Sequence, residues 1–296
     1  MTIEGFTLIT VAVGNSRTRL GRFEGRALHD PVSLTNTDGA EAIAAKVRSL
    51  ADESAGGSTP PQVVLASVND PFAGNLETLL LETFRGGAAG GLWRAGRDVP
   101  IEMPHTLDDA STVGADRWLN ALGASRRAGQ ACVVIDAGTA VTVDFLDGEG
   151  VFHGGVIAPG LRLMLRSMSE GAAALPELDW DGRAEFTSPF GQSTAEAMTL
   201  GAISAVRGLM RERLDAYAEH YGGYPQIVAT GGDAVALFED SDLIEHIVPD
   251  LQLIGIQAAC ERALSEDSDR EGFGAAAIGV DFDERMDQRM GADGDG

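Results

Sequence analysis

The sequence predicts an α/β fold built from two similar halves that face each other. Three observations predict it. A strand–Gly turn–strand unit, TLITVAVGNSRTRLGRFEG, opens the chain; a second one, ACVVIDAGTAVTVDFLDGEG, occupies 131–150; and segments of helical spacing follow each. Laid over each other at an offset of 124 residues, the units place Gly14 on Gly138, Asn15 on Thr139, Ser16 on Ala140 and Ala12 on Asp136. Hairpins of this kind are common, and coincidence is the competing explanation.

The elements follow in order. The apolar run 6–13 has strand length and ends in Gly14-Asn15-Ser16. Alternation in RTRLGRF makes 17–23 its half-buried hairpin partner, closed by a turn at Glu24-Gly25. Ala40, Ile43, Ala44, Val47 and Leu50 set a helix over 38–54, GGSTPP a loop, QVVLASV a short buried strand, and NLETLLLETF a helix over 75–84. Residues 86–113 are rich in Gly and Pro and read as loop, with a strand near Leu92–Arg94; DRWLNALGASR is helical. In the second half, VFHGGVIAPG adds a third strand, a helix runs from Leu161 to Ser169, and 194–220 is the longest helical pattern. PQIVATGGDAVALF is strand, Gly turn, helix, and 251–264 is an amphipathic helix. The expected division is 1–113, 114–281 and an acidic, disordered tail at 282–296.

Composition excludes several classes. The formal charge of −23 repels phosphate backbones, so no nucleic-acid partner is expected, and any nucleotide must be held by local dipoles and a cation. No apolar run approaches the roughly 20 residues of a membrane span, and the N-terminus lacks a basic region and a cleavage site, so no membrane role or signal peptide is expected. Cys132 and Cys260 are isolated and lack metal-ligand spacing; they read as reduced, buried thiols of a cytoplasmic protein. The 22 basic residues are Lys46 and 21 arginines. Lys46 sits on a surface helix, so a P-loop, a protein-kinase strand lysine and a Schiff-base lysine are all missing. Phosphate, if handled, falls to backbone amides, hydroxyls and a metal.

Candidate chemistry sits at turns. Asp136-Ala137-Gly138-Thr139 ends an apolar strand with a carboxylate, a glycine and a hydroxyl. It suits a cation and a phosphate, and equally an ordinary Asp-capped turn. Gly14-Asn15-Ser16 carries the same two readings. Gly231-Gly232 links a strand to a helix, as a phosphate site or as a plain connection. Asp116, in Gly114-Ala115-Asp116-Arg117, is either a helix-dipole carboxylate or a base beside an anion-holding arginine. His29, His105, His153, His220 and His246 show no catalytic spacing; only His153 lies near these motifs in sequence.

Taken together and in order, V-G-N-S, G-A-D-R, D-A-G-T-A, G-G-V-I-A-P-G (154–160), S-T-A-E-A-M (193–198) and A-T-G-G (229–232) resemble the type III pantothenate kinases, from about residue 7 to 264. That resemblance implies two duplicated actin-like (RNase H-like) domains with a cleft between them, and ATP-dependent phosphorylation of pantothenate in coenzyme A synthesis. It further implies Asp116 as catalytic base and Gly114, Ala115, Asp116, Arg117 and Thr194 as pantothenate contacts. Val13, Gly14, Asn15, Ser16, Arg17 and Thr139 would bind ATP. Asp136 would hold a metal, with Mg2+ and a monovalent cation (K+ or NH4+) as cofactors, in a homodimer.

Two positions depart from the family pattern. Its first motif begins with aspartate where this chain has Ala12, and it carries a tyrosine before G-x-D-R where HTLDDASTV has none. The alternative function is therefore a catalytically impaired paralogue that binds nucleotide or pantothenate as a regulator; a kinase for another small alcohol is a third reading.

Overall fold

The apolar run that opens the chain forms β1 (Thr7–Val13), paired in antiparallel register with β2 (Arg17–Glu24). β3 (Ala27–Thr35), α1 (Ala40–Glu53), β4 (Gln62–Ser67), α2 (Asp70–Thr83) and β5 (Gly91–Arg94) complete the first half. There follow α3 (Ala115–Ala128), β6 (Cys132–Ala137), β7 (Ala140–Leu146), β8 (Phe152–Pro159), α4 (Leu161–Gly171), α5 (Thr194–Tyr221), β9 (Gln226–Thr230), α6 (Ala234–Phe238), β10 (His246–Ile247) and α7 (Leu251–Glu266). This computed structural model describes residues 7–54, 60–85, 89–183, 186 and 188–266; the tail expected at 282–296 lies outside them.

The strands form two five-stranded sheets of one topology. The first is ordered β3-β2-β1-β4-β5 and the second β8-β7-β6-β9-β10. In each, the first three strands make an antiparallel meander, and the fourth and fifth run parallel to the first. Helices fall at matching places: after the third strand, after the fourth and after the fifth. This is the duplicated actin-like arrangement, and it excludes coincidence as the source of the repeat.

The offset of 124 holds for the first strands, so Ala12 does match Asp136, but it slips to 123 beyond the turn. Val13 pairs with Thr18 across four intervening residues, whereas Ala137 pairs with Val141 across three. The ladder equivalent of Ala140 is therefore Arg17 and not Ser16. Both residues take the third-strand pairing at the turn, Arg17 with Thr35 and Ala140 with Pro159.

Alternation puts Ile9, Val11 and Val13 into a core with Ile43, Val47 and Leu50 of α1 and Leu76 and Leu80 of α2. On β6, Val133, Ile135 and Ala137 face Leu165 of α4, Val206 and Met210 of α5 and Phe238 of α6. Ala12 and Asp136 thus lie on the opposite faces of their sheets. By compactness the chain forms two units: the described residues of Met1–Glu102, Val113–Gly123 and Gln252–Gly296, and those of Met103–Thr112 and Ala124–Leu251.

Candidate active site

The residues singled out by the sequence gather in four local groups. Val13 to Arg17 form the β1–β2 turn. Its ends are closed by Gly14 N–H donating to Arg17 O at 2.9 Å, and its tip is exposed. Asn36, the first residue after β3, braces this turn from one side. Its Nδ2 donates to Gly14 O at 2.8 Å and to Asn15 O at 3.2 Å, its backbone N–H donates to Ser16 O at 2.9 Å, and its Oδ1 accepts from Thr18 Oγ1 at 2.9 Å. In a trans peptide the N–H points away from the C=O. With three successive carbonyls drawn to Asn36, the N–H groups of Asn15, Ser16 and Arg17 point to the other side, the pattern of an anion cradle.

The β6–β7 turn in the second unit repeats this design with different means. Gly138 N–H donates to Ala140 O at 3.0 Å. Gly160, the first residue after β8, donates its N–H to Thr139 O at 3.0 Å and packs so closely that a Cβ would lie 2.0 Å from Gly138 O. On the other flank Gly231 has φ +95°, and a Cβ there would lie 2.5 Å from Asp136 Oδ1 and 2.3 Å from Ala137 O. Both contacts are open only to glycine. They explain Gly160 of A-P-G and Gly231 of A-T-G-G, glycines that periodicity leaves ambiguous.

Asp136 is half-buried and stands opposite Thr142 on β7 and Thr230 on β9, both buried. Residues in register share a face, so one carboxylate is flanked by two hydroxyls. Among the described residues no group of three or more His, Cys, Asp or Glu side chains comes together as a metal site. Mg2+ is commonly held by one or two carboxylates with phosphate and water oxygens completing its shell. The donor set at Asp136 fits a cation shared with a nucleotide, not one caged by protein alone.

Asp116 lies in the first turn of α3. Its Oδ1 accepts from Arg117 N–H at 2.9 Å, and Gly114 leaves room for the carboxylate, since a Cβ there would meet Asp116 Oδ1 at 2.5 Å. Burial pushes the Asp116 carboxyl above the usual carboxylate range; the Arg117 N–H bond and guanidinium charge offset this only in part. Thr194 is the exposed first residue of α5. Its neighbours have a structural role: Ser193 Oγ accepts from Glu196 N–H at 3.2 Å while Glu196 Oε2 accepts from Gln192 N–H at 2.6 Å. Thr194 is left to face outward.

His153 is not brought to these turns. It stands at the start of β8, the end away from Gly160, with Nε2 2.8 Å from Asp147 Oδ2 and Nδ1 3.3 Å from Thr106 Oγ1. The sequence reading missed Asn36 and Asp144. Asp144 is 2% exposed on β7, on the same face as Asp136, and glycine at 155 accommodates it: a Cβ there would lie 2.6 Å from its Oδ1. An aspartate within the otherwise apolar V-D-F-L stretch, on the face away from Val143 and Phe145, was the signal for it.

A family model for type III pantothenate kinases matches residues 8–216. The chain belongs to that family. A type III pantothenate kinase of Myxococcus xanthus is 32% identical over 259 residues, covering 84% of this chain and 96% of that one. The corresponding protein of Akkermansia muciniphila is 41% identical over 161 residues; that match spans 54% of this chain and 64% of the relative, less than two thirds of its length. Among solved structures, a chain described as a conserved Baf family transcriptional activator from Campylobacter jejuni superposes with a TM-score of 0.55 at 17% identity, over 86% of this chain and 98% of that one, a likeness of fold alone. No helix among the described residues is long and apolar enough to cross a membrane.

Proposed function

We propose that the chain transfers the γ-phosphoryl group of ATP to the primary hydroxyl of pantothenate, giving 4′-phosphopantothenate and ADP, the first step of coenzyme A synthesis. The observation that carries this reading is the family match over residues 8–216, within which G-N-S, G-A-D-R and D-A-G-T keep their order. Phosphoryl transfer through a loose transition state demands positioning and charge neutralisation more than covalent help. The turns at Val13–Arg17 and around Thr139 offer backbone N–H groups and hydroxyls to phosphate oxygens. Asp116 takes the proton of the attacking hydroxyl as the oxygen–phosphorus bond forms and the bond to the bridging oxygen of ADP breaks. A carboxyl raised by burial is better matched to that task near neutral pH than an ordinary aspartate. Gly114, Ala115, Arg117 and Thr194 contact pantothenate, with Arg117 suited to its carboxylate. Asp136, with Thr142 and Thr230, would hold a cation, Mg2+ or a monovalent K+ or NH4+, which neutralises phosphate charge when bound.

The same reading makes the protein a cytoplasmic homodimer. Two free, buried cysteines agree with a reducing compartment, and Ile157, 64% exposed on the edge strand β8, agrees with a subunit contact. A coupled ADP-release assay with and without pantothenate, with the product identified by mass, tests the function. Release that depends on pantothenate is the expected result, and release with other alcohols only would assign a different acceptor.

One observation favours a second reading. Ala12, where the family has aspartate, offers no carboxylate at the first turn, as suits a protein that binds nucleotide or pantothenate without turnover. Binding of ATP or pantothenate with no ADP release in the same assay would select it.

A further inference from the structure

The connection between α4 and α5 contains no regular element from Ala172 to Ser193 among its described residues, yet Trp180 within it is 5% exposed. Its indole Nε1 donates to Asp233 Oδ1 at 2.8 Å, and its carbonyl accepts from Arg162 Nε at 3.1 Å. Asp233 is 4% exposed, and its backbone N–H donates to Ala137 O at 2.9 Å. It follows Gly231 by two residues, and Gly231 packs against Asp136 Oδ1. Arg162 follows by two residues Gly160, whose N–H holds Thr139 O. One residue therefore ties together both segments that flank the 136–140 turn, Trp180 reaching Asp233 through its indole and Arg162 through its carbonyl.

Stability alone does not explain this arrangement. Burial pushes the Asp233 carboxyl up against the opposing pull of the Trp180 N–H and the Arg162 charge, so the carboxylate is held at a cost. An apolar pair of similar volume would fill the same space without that cost. A polar pair in such a place fixes a geometry.

We infer that the Trp180–Asp233 hydrogen bond is a clip that sets the spacing of the two walls around the Asp136–Thr139 turn, so that Trp180 and Asp233 are positioning residues for nucleotide phosphate. This rests on the kinase reading. Trp180→Phe removes the N–H and keeps the ring; Asp233→Asn removes the charge and keeps an oxygen to accept from the indole. ADP binding is measured by calorimetry in Mg2+, beside the thermal midpoint of each variant. Trp180→Phe is expected to weaken ADP by about tenfold. Asp233→Asn should stay within about threefold of wild type, and ADP should alter the Trp180 fluorescence, taken as the difference from Trp180→Phe. If Trp180→Phe does not fold, Arg162→Ala, which releases the Trp180 carbonyl, carries the same expectation. Variants that lower the thermal midpoint and leave ADP affinity unchanged would overturn the clip and leave the kinase reading standing. A folded wild type that binds no ADP overturns both.

Discussion

Replacing Asn36 by alanine is the most direct test of the proposal that the Val13–Arg17 turn holds phosphate. The side chain makes three hydrogen bonds, to Gly14 O at 2.8 Å, to Asn15 O at 3.2 Å and from Thr18 Oγ1 at 2.9 Å. At about 1 kcal/mol each, their loss costs roughly 2–4 kcal/mol, with the backbone bond from Asn36 to Ser16 O retained. For a chain of this size that lowers the thermal midpoint by roughly 5–10 °C. Freed carbonyls let the turn rotate, so the N–H groups of residues 15 to 17 lose their common direction. The Michaelis constant for ATP should rise by about tenfold or more, and that for pantothenate should stay near wild type. Asn36→Asp separates this account from simple packing. It keeps the shape and the acceptor for Thr18, but sets a carboxylate oxygen against two carbonyls. It should be at least as damaging as alanine. If Asn36→Asp keeps the wild-type thermal midpoint and binds ATP as tightly as wild type, the brace has no part in holding the turn.

Two further outcomes follow from the same geometry. Asp116→Asn should cut turnover by about 10²–10⁴ and leave pantothenate affinity within about tenfold. Because the folded pKa is raised above the unfolded 3.8, ionising Asp116 is penalised only in the folded chain; that instability is absent below 3.8 and complete above the raised value. The variant's thermal midpoint should therefore exceed wild type at pH 7.5, with the gap closing near pH 3.5; an equal gap at both would refute the burial argument. Ala12→Asp places a carboxylate where the side chain is 3% exposed, directly across the ladder from Arg19. It should lower the midpoint in chelator, recover it in Mg2+ with ATP and raise turnover; unchanged metal dependence would show that the first turn does not take part in cation binding.

Much of the fold was legible because its strands are written as apolar runs punctuated by glycine. β1, β2, β4, β6 and β7 fall where alternation and apolar runs place them, and α5 matches 194–220 to within a residue. β3 carries no such signature. Its sequence ALHDPVSLT includes Pro31 and Asp30, the latter at φ 50°, and it is tolerated because β3 is an edge strand with one side unpaired. β10, two residues long, is invisible to any periodicity. α2 begins at Asp70, five residues before the helix read from NLETLLLETF, because Asn69 caps it and Pro71 lies in its first turn. The motif turns could be located from sequence, but their bracing could not. Asn36 reads as one more polar residue after a strand until the fold brings it to Gly14, and Trp180 as one more loop aromatic until it reaches Asp233.

The two halves solve one geometric problem in two ways. Each hairpin turn has its carbonyls held by the residue that follows the third strand, through a side chain at Asn36 and through a close backbone at Gly160. The duplication therefore preserves a function of position and not of residue type, which is why a repeat alignment that pairs Asn15 with Thr139 sees the turn and misses its support. The same logic bears on the unequal strand ends. Asp136 has two hydroxyl neighbours in register and a glycine flank that leaves its carboxylate room, whereas Ala12 has Arg19 and Ala66 beside it and almost no exposure. At the first turn a small apolar residue fills the strand end; removing the Asp136 side chain would open a gap against Gly231. On that argument the proposed cation site needs its carboxylate at Asp136 and not at position 12.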